Sequence, residues 1–219
     1  MTTETTPSVY LGAHQDIDPD LDTNGAMGEF SNDAFEQMRR NQNMSVFAQA
    51  AYQDPNETTA FDTGGLQTTY IDDKDGHRVV VTYEESTGEL YITFRGTDTT
   101  GDFVADSMWA NDGLADDERY GGHQASAGGI SAFESTWNST DDREGLKDVL
   151  QDMFDDEDID IKHVSVSGHS LGGACTELML ERTDDDGNNF LQERVGEDNI
   201  SGATYGSPRV FIDSSEDDN

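Results

Sequence analysis

The sequence is poor in basic residues and cysteine and has no long apolar run. Only 12 Lys and Arg stand against 47 Asp and Glu, so the formal net charge is −35 over 219 residues. Such a charge repels phosphate groups, and nucleic acid is excluded as a predicted partner. A single cysteine, Cys175, excludes an intramolecular disulfide, and its place in a predicted helix indicates a buried structural thiol.

Targeting and membrane signals are also missing from the sequence. Residues 1–10 have neither the basic nor the apolar region of a signal peptide, and no window is long and apolar enough to span a bilayer. The sequence therefore predicts a soluble protein without a signal peptide, in the cytoplasm or in an unassigned compartment.

The excess of acid has two competing explanations, disorder and adaptation to salt. High net charge with 33% hydrophobic residues is typical of disorder, and residues 1–30 fit it, which predicts a flexible acidic leader. Residues 79–94 and 161–167 do not, because they are rich in β-forming residues. We therefore interpret the charge as adaptation to high salt, where counterions screen surface carboxylates. That only three of the 12 basic residues are lysines supports this interpretation.

Apolar spacing and turn residues predict regular structure between residues 31 and 182. The elements are a helix over 31–52, two strands joined at 86–88, a helix capped by Asp141 or Asp142, a strand over 161–167, and a helix over 171–182. The acidic runs 155–160 and 184–187 lack the ligand spacing of a calcium loop, so no metal site is predicted.

A long Gly- and Asp-rich connection over residues 98–129 carries several apolar residues. These are Phe103, Val104, Met108 and Trp109. They predict either small packing anchors or a flap that faces the substrate.

A Gly-x-Ser-x-Gly motif occupies residues 168–172, between the predicted strand and helix. This order of elements is the one in which the motif presents a serine nucleophile on a sharp turn, so Ser170 is the predicted nucleophile. Gly168 and Gly172 leave room for the turn. His169 is expected to support the turn, because its side chain would point away from the serine.

A serine nucleophile of this kind needs hydrogen-bond donors for the developing oxyanion. The N–H of Leu171, which follows the nucleophile, is one predicted donor. The second is expected from the loop after an earlier strand, where Gly96 permits close approach and Thr97 offers an N–H and a hydroxyl. The alternative for residues 94–97 is an ordinary turn at the end of a strand.

Four segments in this order resemble the class 3 lipases, the fungal-lipase-like branch of the α/β hydrolases. They are Tyr-Ile-Thr-Phe-Arg-Gly-Thr at 91–97, Asp-Phe-Val-Ala-Asp at 102–106, Val-Ser-Val-Ser-Gly-His-Ser-Leu-Gly-Gly at 164–173, and Ala-Thr-Tyr-Gly-Ser-Pro-Arg-Val at 203–210. Ala-Ala-Tyr at 50–52 is similar to the N-terminal helix of the family.

The resemblance implies a fold and an activity. It implies an α/β-hydrolase-like, central, mostly parallel sheet flanked by helices in a domain from residue 31 to 219. It implies hydrolysis of carboxylic esters, typically acylglycerols, through an acyl-enzyme on Ser170, with Thr97 and Leu171 as the oxyanion hole. It implies no cofactor, a lipid or ester substrate and transient contact with a lipid interface; no oligomeric state is predicted.

The sequence departs from the family pattern after residue 210. In the family the triad acid and histidine follow the segment matched here at 203–210, whereas all five histidines lie at or before the nucleophile. Either the last strands are missing and the chain is an incomplete domain, or another residue, such as His123 on the long connection, supplies the base. Phe103 also replaces a family tryptophan, and Ala-Gly-Gly-Ile at 127–130 replaces a family His-x-Gly-Phe.

Two other functions compete with the esterase prediction. One is a non-catalytic binding or scaffold protein that retains the hydrolase fold. The other is a thioesterase or peptidase built on the same fold.

Overall fold

The computed structural model describes residues 32–57, 59–62, 65–97, 114–116, 118–120, 124–184 and 186–212. Four predicted features lie outside these ranges: the acidic leader, the segment at 102–106 with most of the long connection, and the two histidines at positions 14 and 123. The division of the chain at residue 31 stays a prediction.

Eight strands form two sheets in the described part of the chain. They are β1 (Leu66–Asp72), β2 (Arg78–Glu84), β3 (Glu89–Phe94), β4 (Leu114–Asp116), β5 (Gln124–Ser126), β6 (His163–His169), β7 (Ile200–Tyr205) and β8 (Phe211–Ile212). The larger sheet has the order β1-β2-β3-β6-β7, and β4, β5 and β8 form a small antiparallel sheet.

In the larger sheet, β1, β2 and β3 pair antiparallel, whereas β3, β6 and β7 pair parallel. Four of its five strands therefore run in one direction, and only β2 opposes them. This arrangement confirms the predicted mostly parallel sheet. It also puts the carboxyl ends of β3, β6 and β7 at the same edge of the sheet. Catalytic groups gather at this edge in open α/β sheets.

The helices cover both faces of this sheet, as predicted. They are α1 (Asn32–Ala50), α2 (Ala127–Trp137), α3 (Leu146–Asp155), α4 (Leu171–Glu181) and α5 (Phe190–Val195). α1 packs Met44 and Phe47 on Val80 and Tyr91 on one face. The other four helices contribute to the larger core on the opposite face, with Val79, Val81 and Ile92.

Burial on both faces explains the sequence of the central strands. Every residue of β3 is buried, and so is every residue of β2 after Arg78. Strands covered on both sides read as continuous apolar runs, as at Val79–Val81, and not as alternating patterns. The predicted hairpin is confirmed, with its turn at residues 85–88.

Two predicted boundaries were wrong. α3 begins at Leu146 after Gly145, not at Asp141 or Asp142, because those residues form a turn closed by a bridge between Thr140 and Arg143. The predicted connection over 98–129 ends earlier than expected, in β5 and the start of α2. There the Ser126 hydroxyl accepts a hydrogen bond from the Gly129 N–H and caps the helix.

Cys175 lies on α4, and its side chain is buried and unpaired in the larger core. Burial raises the pKa of its thiol to about 12. The thiol therefore stays protonated, which agrees with the predicted structural role and makes it a poor nucleophile.

A partly buried ionic network, centred on the buried Glu89, joins α1 to the last residue of β2 and the first residue of β3. Arg40 Nε donates to Glu89 Oε2 at 2.9 Å, and Arg39 donates to Glu84 Oε2 at 2.9 Å. Glu89 Oε1 accepts from the Ser165 hydroxyl at 2.7 Å. Glu89 starts β3, so this network lies at the sheet end opposite the loops that follow β3 and β6.

None of the helices within the described ranges has the length and apolarity that crossing a bilayer requires.

Candidate active site

Ser170 stands on the sharp turn between β6 and α4. Its backbone has a φ of 56° and a ψ of −123°. It is the one non-glycine residue with a positive φ in the described ranges. A non-glycine residue with this backbone conformation is strained, and the conformation persists only where the surrounding structure enforces it. The Ser170 N–H donates to the Tyr205 carbonyl at 2.9 Å, and its own carbonyl accepts from the Gly173 N–H at 2.9 Å.

The small residues around Ser170 are required by close packing. A Cβ added at Gly168 would overlap the Gly172 carbonyl and come within 2.8 Å of the Gly173 nitrogen. A Cβ added at Gly172 would overlap the Phe94 carbonyl oxygen, and it would lie 2.9 Å from the Arg95 carbonyl carbon. The turn is therefore pressed against the chain that leaves β3.

The Ser170 side chain is partly exposed, and its hydroxyl makes no hydrogen bond to a described residue. It sits at the N-terminus of α4, where unpaired N–H groups and the helix dipole favour negative charge. Leu171 is the first residue of α4, so its N–H has no acceptor within the helix. The geometry therefore leaves the Ser170 hydroxyl and the Leu171 N–H available to a ligand.

The loop after β3 lies directly beside this turn. A Cβ added at Gly96 would be 3.2 Å from Ser170 Cβ and 2.5 Å from the His169 carbonyl oxygen. The next residue, Thr97, has a buried hydroxyl with no hydrogen-bond partner in the described ranges. Buried polar atoms are nearly always bonded, so an unpaired hydroxyl in the residue after Gly96 suits a group that donates to a bound ligand.

His169 binds Tyr52 and not Ser170. The Tyr52 hydroxyl is 2.8 Å from His169 Nδ1, and the two rings meet edge to face with centroids 5.8 Å apart. A Cβ added at Gly96 would also overlap the Tyr52 hydroxyl. Tyr52 is thus a site residue that sequence reasoning did not assign, although it ends the matched segment at 50–52.

His163 is too far from Ser170 to act as its base. His163 is the first residue of β6 and Ser170 directly follows the last, so the rise of a strand puts them about 23 Å apart. His163 is buried, which lowers the pKa of its imidazole, and its Nε2 is 2.9 Å from the Ser201 hydroxyl.

Asp73, His77 and Ser135 have the residue types of a catalytic triad but not its geometry. His77 Nδ1 lies 2.7 Å from Asp73 Oδ2, and the Ser135 hydroxyl donates to the same oxygen at 2.6 Å. A triad serine would face the imidazole on the nitrogen remote from the acid. Although burial opposes it, hydrogen bonds from Ser135 and His77 lower the pKa of Asp73 to about 2. The same hydrogen bonds join the β1–β2 turn to α2, so this cluster is a structural anchor.

No group of three His, Cys, Asp or Glu side chains suited to a metal ion occurs in the ranges that the structure describes. The arrangement around Ser170 brings a candidate nucleophile together with candidate oxyanion donors, which are the groups that acyl transfer requires.

A serine on a strained strand-to-helix turn of a mostly parallel sheet defines the α/β hydrolases as a class. A family model described as Lipase (class 3) matches residues 91–215, which is more than half of the chain. The chain belongs to the class 3 lipase family.

Solved structures of fungal lipases share its fold. The Rhizomucor miehei triacylglyceride lipase is 19% identical with a TM-score of 0.60, over 85% of this chain and 66% of the lipase. Lipase II from Rhizopus niveus is 22% identical with a TM-score of 0.61, over 81% and 64%. The lipase from Rhizopus microsporus var. chinensis is 20% identical with a TM-score of 0.62, over 97% and 71%.

These likenesses, all below 25% identity, show the fold. The chain spans 54% of the Rhizomucor miehei lipase in its propeptide complex and 66% of the triacylglyceride lipase from the same organism. It therefore covers about half to two thirds of the length of these lipases. A comparison with curated proteins found no match.

Proposed function

We propose that this protein hydrolyses carboxylic esters through an acyl-enzyme on Ser170. The observation that carries the proposal is the strained, partly exposed Ser170, which packs against the Gly96 backbone and whose hydroxyl makes no hydrogen bond to any described residue. Strain of this kind persists at functional sites because it positions a group for chemistry. A structural serine in a relaxed turn would need neither the strain nor the excluded Cβ positions around it.

In the proposed reaction, Ser170 Oγ attacks the ester carbonyl carbon, and the proton of the hydroxyl passes to a base. The oxyanion receives hydrogen bonds from the Leu171 N–H and from Thr97, whose hydroxyl is already desolvated. Collapse of the tetrahedral intermediate breaks the bond to the alcohol, which leaves with the proton returned by the base. Water then attacks the acyl-enzyme by the same steps and releases the acid.

The base for these transfers comes from outside the described residues in this proposal. His77, His163 and His169 each face another partner, as shown above. Two histidines, at positions 14 and 123, lie outside the described ranges, and His123 on the long connection is the proposed candidate for the base.

The proposed substrates are acylglycerols or other carboxylic esters, as the family implies and as the triacylglyceride lipase among the structural relatives suggests. Initial rates with p-nitrophenyl esters of increasing acyl length, a thioester and an amide distinguish the alternatives. Preference for the esters supports the proposal, whereas a higher kcat/KM for the thioester or amide favours a thioesterase or peptidase.

Covalent labelling tests the nucleophile. A fluorophosphonate probe in concentrated KCl is expected to form one adduct, and peptide mass spectrometry is expected to locate it on Ser170. Pre-treatment with an unlabelled fluorophosphonate is the control for specificity. Folded protein that takes up no probe, or takes it up at another serine, contradicts the proposal and favours a non-catalytic scaffold.

We also propose that the protein is adapted to high salt, because its net charge of −35 destabilises the compact state unless it is screened. The Debye length is about 3 Å in about 1 M KCl, so the surface charges are screened there. Diluting the KCl is expected to lower Tm by more than about 10 °C, which for a domain of this size is a loss of several kcal/mol in the free energy of unfolding. Thermal unfolding followed by circular dichroism measures this shift. Sucrose at equal osmolality is the control, and an equal recovery of Tm in sucrose would show that screening is not the cause.

A further inference from the structure

The chain that leaves β3 must hold Gly96 and Thr97 against the Ser170 turn. Arg95 makes the last backbone contact with the sheet, where its N–H donates to the Arg78 carbonyl at 2.9 Å. From there the chain departs from the ladder, yet Gly96 lies so close to the turn that a Cβ there would be only 2.5 Å from the His169 carbonyl oxygen. A further restraint near Arg95 is needed to keep this loop in register with the turn.

The Arg95 side chain supplies a contact to a second element. Its guanidinium donates to the Gly76 carbonyl, in the turn between β1 and β2. The Arg95 Nε is buried and has no hydrogen-bond partner in the described ranges. A buried donor without a partner is unfavourable, because it has lost its hydrogen bonds to water. A gain in the stability of the folded protein is therefore a poor explanation for the burial of the Arg95 side chain.

The turn that receives Arg95 is itself held rigidly. Asp73 Oδ1 accepts from the N–H groups of Asp75 at 2.8 Å and His77 at 2.7 Å. Asp73 Oδ2 accepts from the Ser135 hydroxyl of α2 at 2.6 Å. The Gly76 carbonyl is thus a fixed point, anchored within its own turn and to a helix in the larger core.

We propose that Arg95 is a positioning residue, which ties the Gly96–Thr97 loop to the β1–β2 turn and so sets the Thr97 donors relative to Ser170. The inference rests on the proposed function, because it assigns Thr97 to the oxyanion. Arg95 touches no reacting atom and acts through the loop. Displacement of a catalytic group by about 1 Å is enough to reduce a rate about a hundredfold. Loss of the Arg95 contact is therefore expected to have a large effect on catalysis.

A double-mutant cycle separates positioning from mere structural support. The variants are Arg95→Met, Thr97→Val and their combination, and the measured quantity is the second-order rate constant for fluorophosphonate labelling of Ser170. Arg95→Met is expected to lower this constant at least about tenfold with Thr97 present and less than about threefold in the Thr97→Val background, because coupled residues are not additive. Arg95→Lys, which keeps a donor for the Gly76 carbonyl, is expected to recover most of the loss.

Lys74→Met is the matched control, because Lys74 is an exposed cation in the same turn. It is expected to leave the labelling rate unchanged. Equal fold losses from Arg95→Met in both Thr97 backgrounds would overturn the inference, even if Ser170 is labelled as proposed.

Backbone order parameters give a readout that needs no reaction. With Arg95→Met the order parameters of Gly96 and Thr97 are expected to fall from about 0.85 toward 0.6, while those of β6 stay unchanged. If Ser170 takes up no probe in any variant, the proposed function fails. The order parameters then test by themselves whether Arg95 holds the Gly96–Thr97 loop in place. Unchanged order parameters in that case would overturn the tether as well.

Discussion

Replacing Ser170 by alanine is expected to reduce ester hydrolysis on the order of a thousandfold or more, to the level left by binding and the oxyanion donors. Alanine keeps the Cβ of serine at the same positive φ, so the turn loses only its hydroxyl. The change is therefore expected to leave the fold intact. Initial rates with a p-nitrophenyl ester in concentrated KCl, together with circular dichroism, measure both effects.

Ser201→Ala is the control for this variant. Ser201 lies in β7 at the end of the sheet remote from Ser170, where its hydroxyl contacts His163. This control is expected to retain full activity. A Ser170→Ala protein that hydrolyses esters as fast as the unmodified protein would contradict the proposed nucleophile.

The largest effect on stability is expected from Arg40→Met. This change leaves the Glu89 carboxylate, whose side chain is 2% exposed, with Arg39 as its nearest cation at 4.0 Å. Removing one partner of a buried ion pair is strongly destabilising because the other charge stays desolvated, and we expect a loss of about 3 kcal/mol in the free energy of unfolding. Urea denaturation at fixed KCl concentration measures it, since urea does not alter the ionic strength.

Lys162→Met is the matched control, because Lys162 pairs with Asp160 at the surface, with side chains 64% and 80% exposed. We expect this change to cost less than about 1 kcal/mol. Glu89→Gln is expected to restore part of the stability lost in Arg40→Met, since the amide oxygen can still accept from the Ser165 hydroxyl. Equal losses from Arg40→Met and Lys162→Met would show that the buried network contributes no more than a surface pair.

Local patterns predicted the parts of the fold that depend on neighbours in the sequence. The hairpin at 85–88, the strand before residue 168 and the helix after residue 170 were confirmed, because turn residues and apolar periods act over a few positions. The predicted start of α3 was wrong, because two local structures compete for the same residues. A bridge between Thr140 and Arg143 occupies the acidic residues that would otherwise have capped the helix.

The candidate site divides in the same way. The Gly-x-Ser-x-Gly pattern predicted the turn because its glycines and serine are adjacent. Tyr52 contacts His169 across 117 positions, and no local pattern points to such a pair. The contact between Arg95 and Gly76 likewise depends on how the β1–β2 turn folds back beside the end of β3.

The sequence by itself determined the charge, the class of fold, the family resemblance and the residue placed on the strained turn, because each depends on composition or on short-range order. Tertiary structure alone decided that the Gly96 backbone packs against the Ser170 turn and that the buried Thr97 hydroxyl has no partner among the described residues. It also decided that the three described histidines bind other partners. The physical reason is that strand pairing and helix packing bring together groups far apart in the chain, and their distances follow from the sheet order.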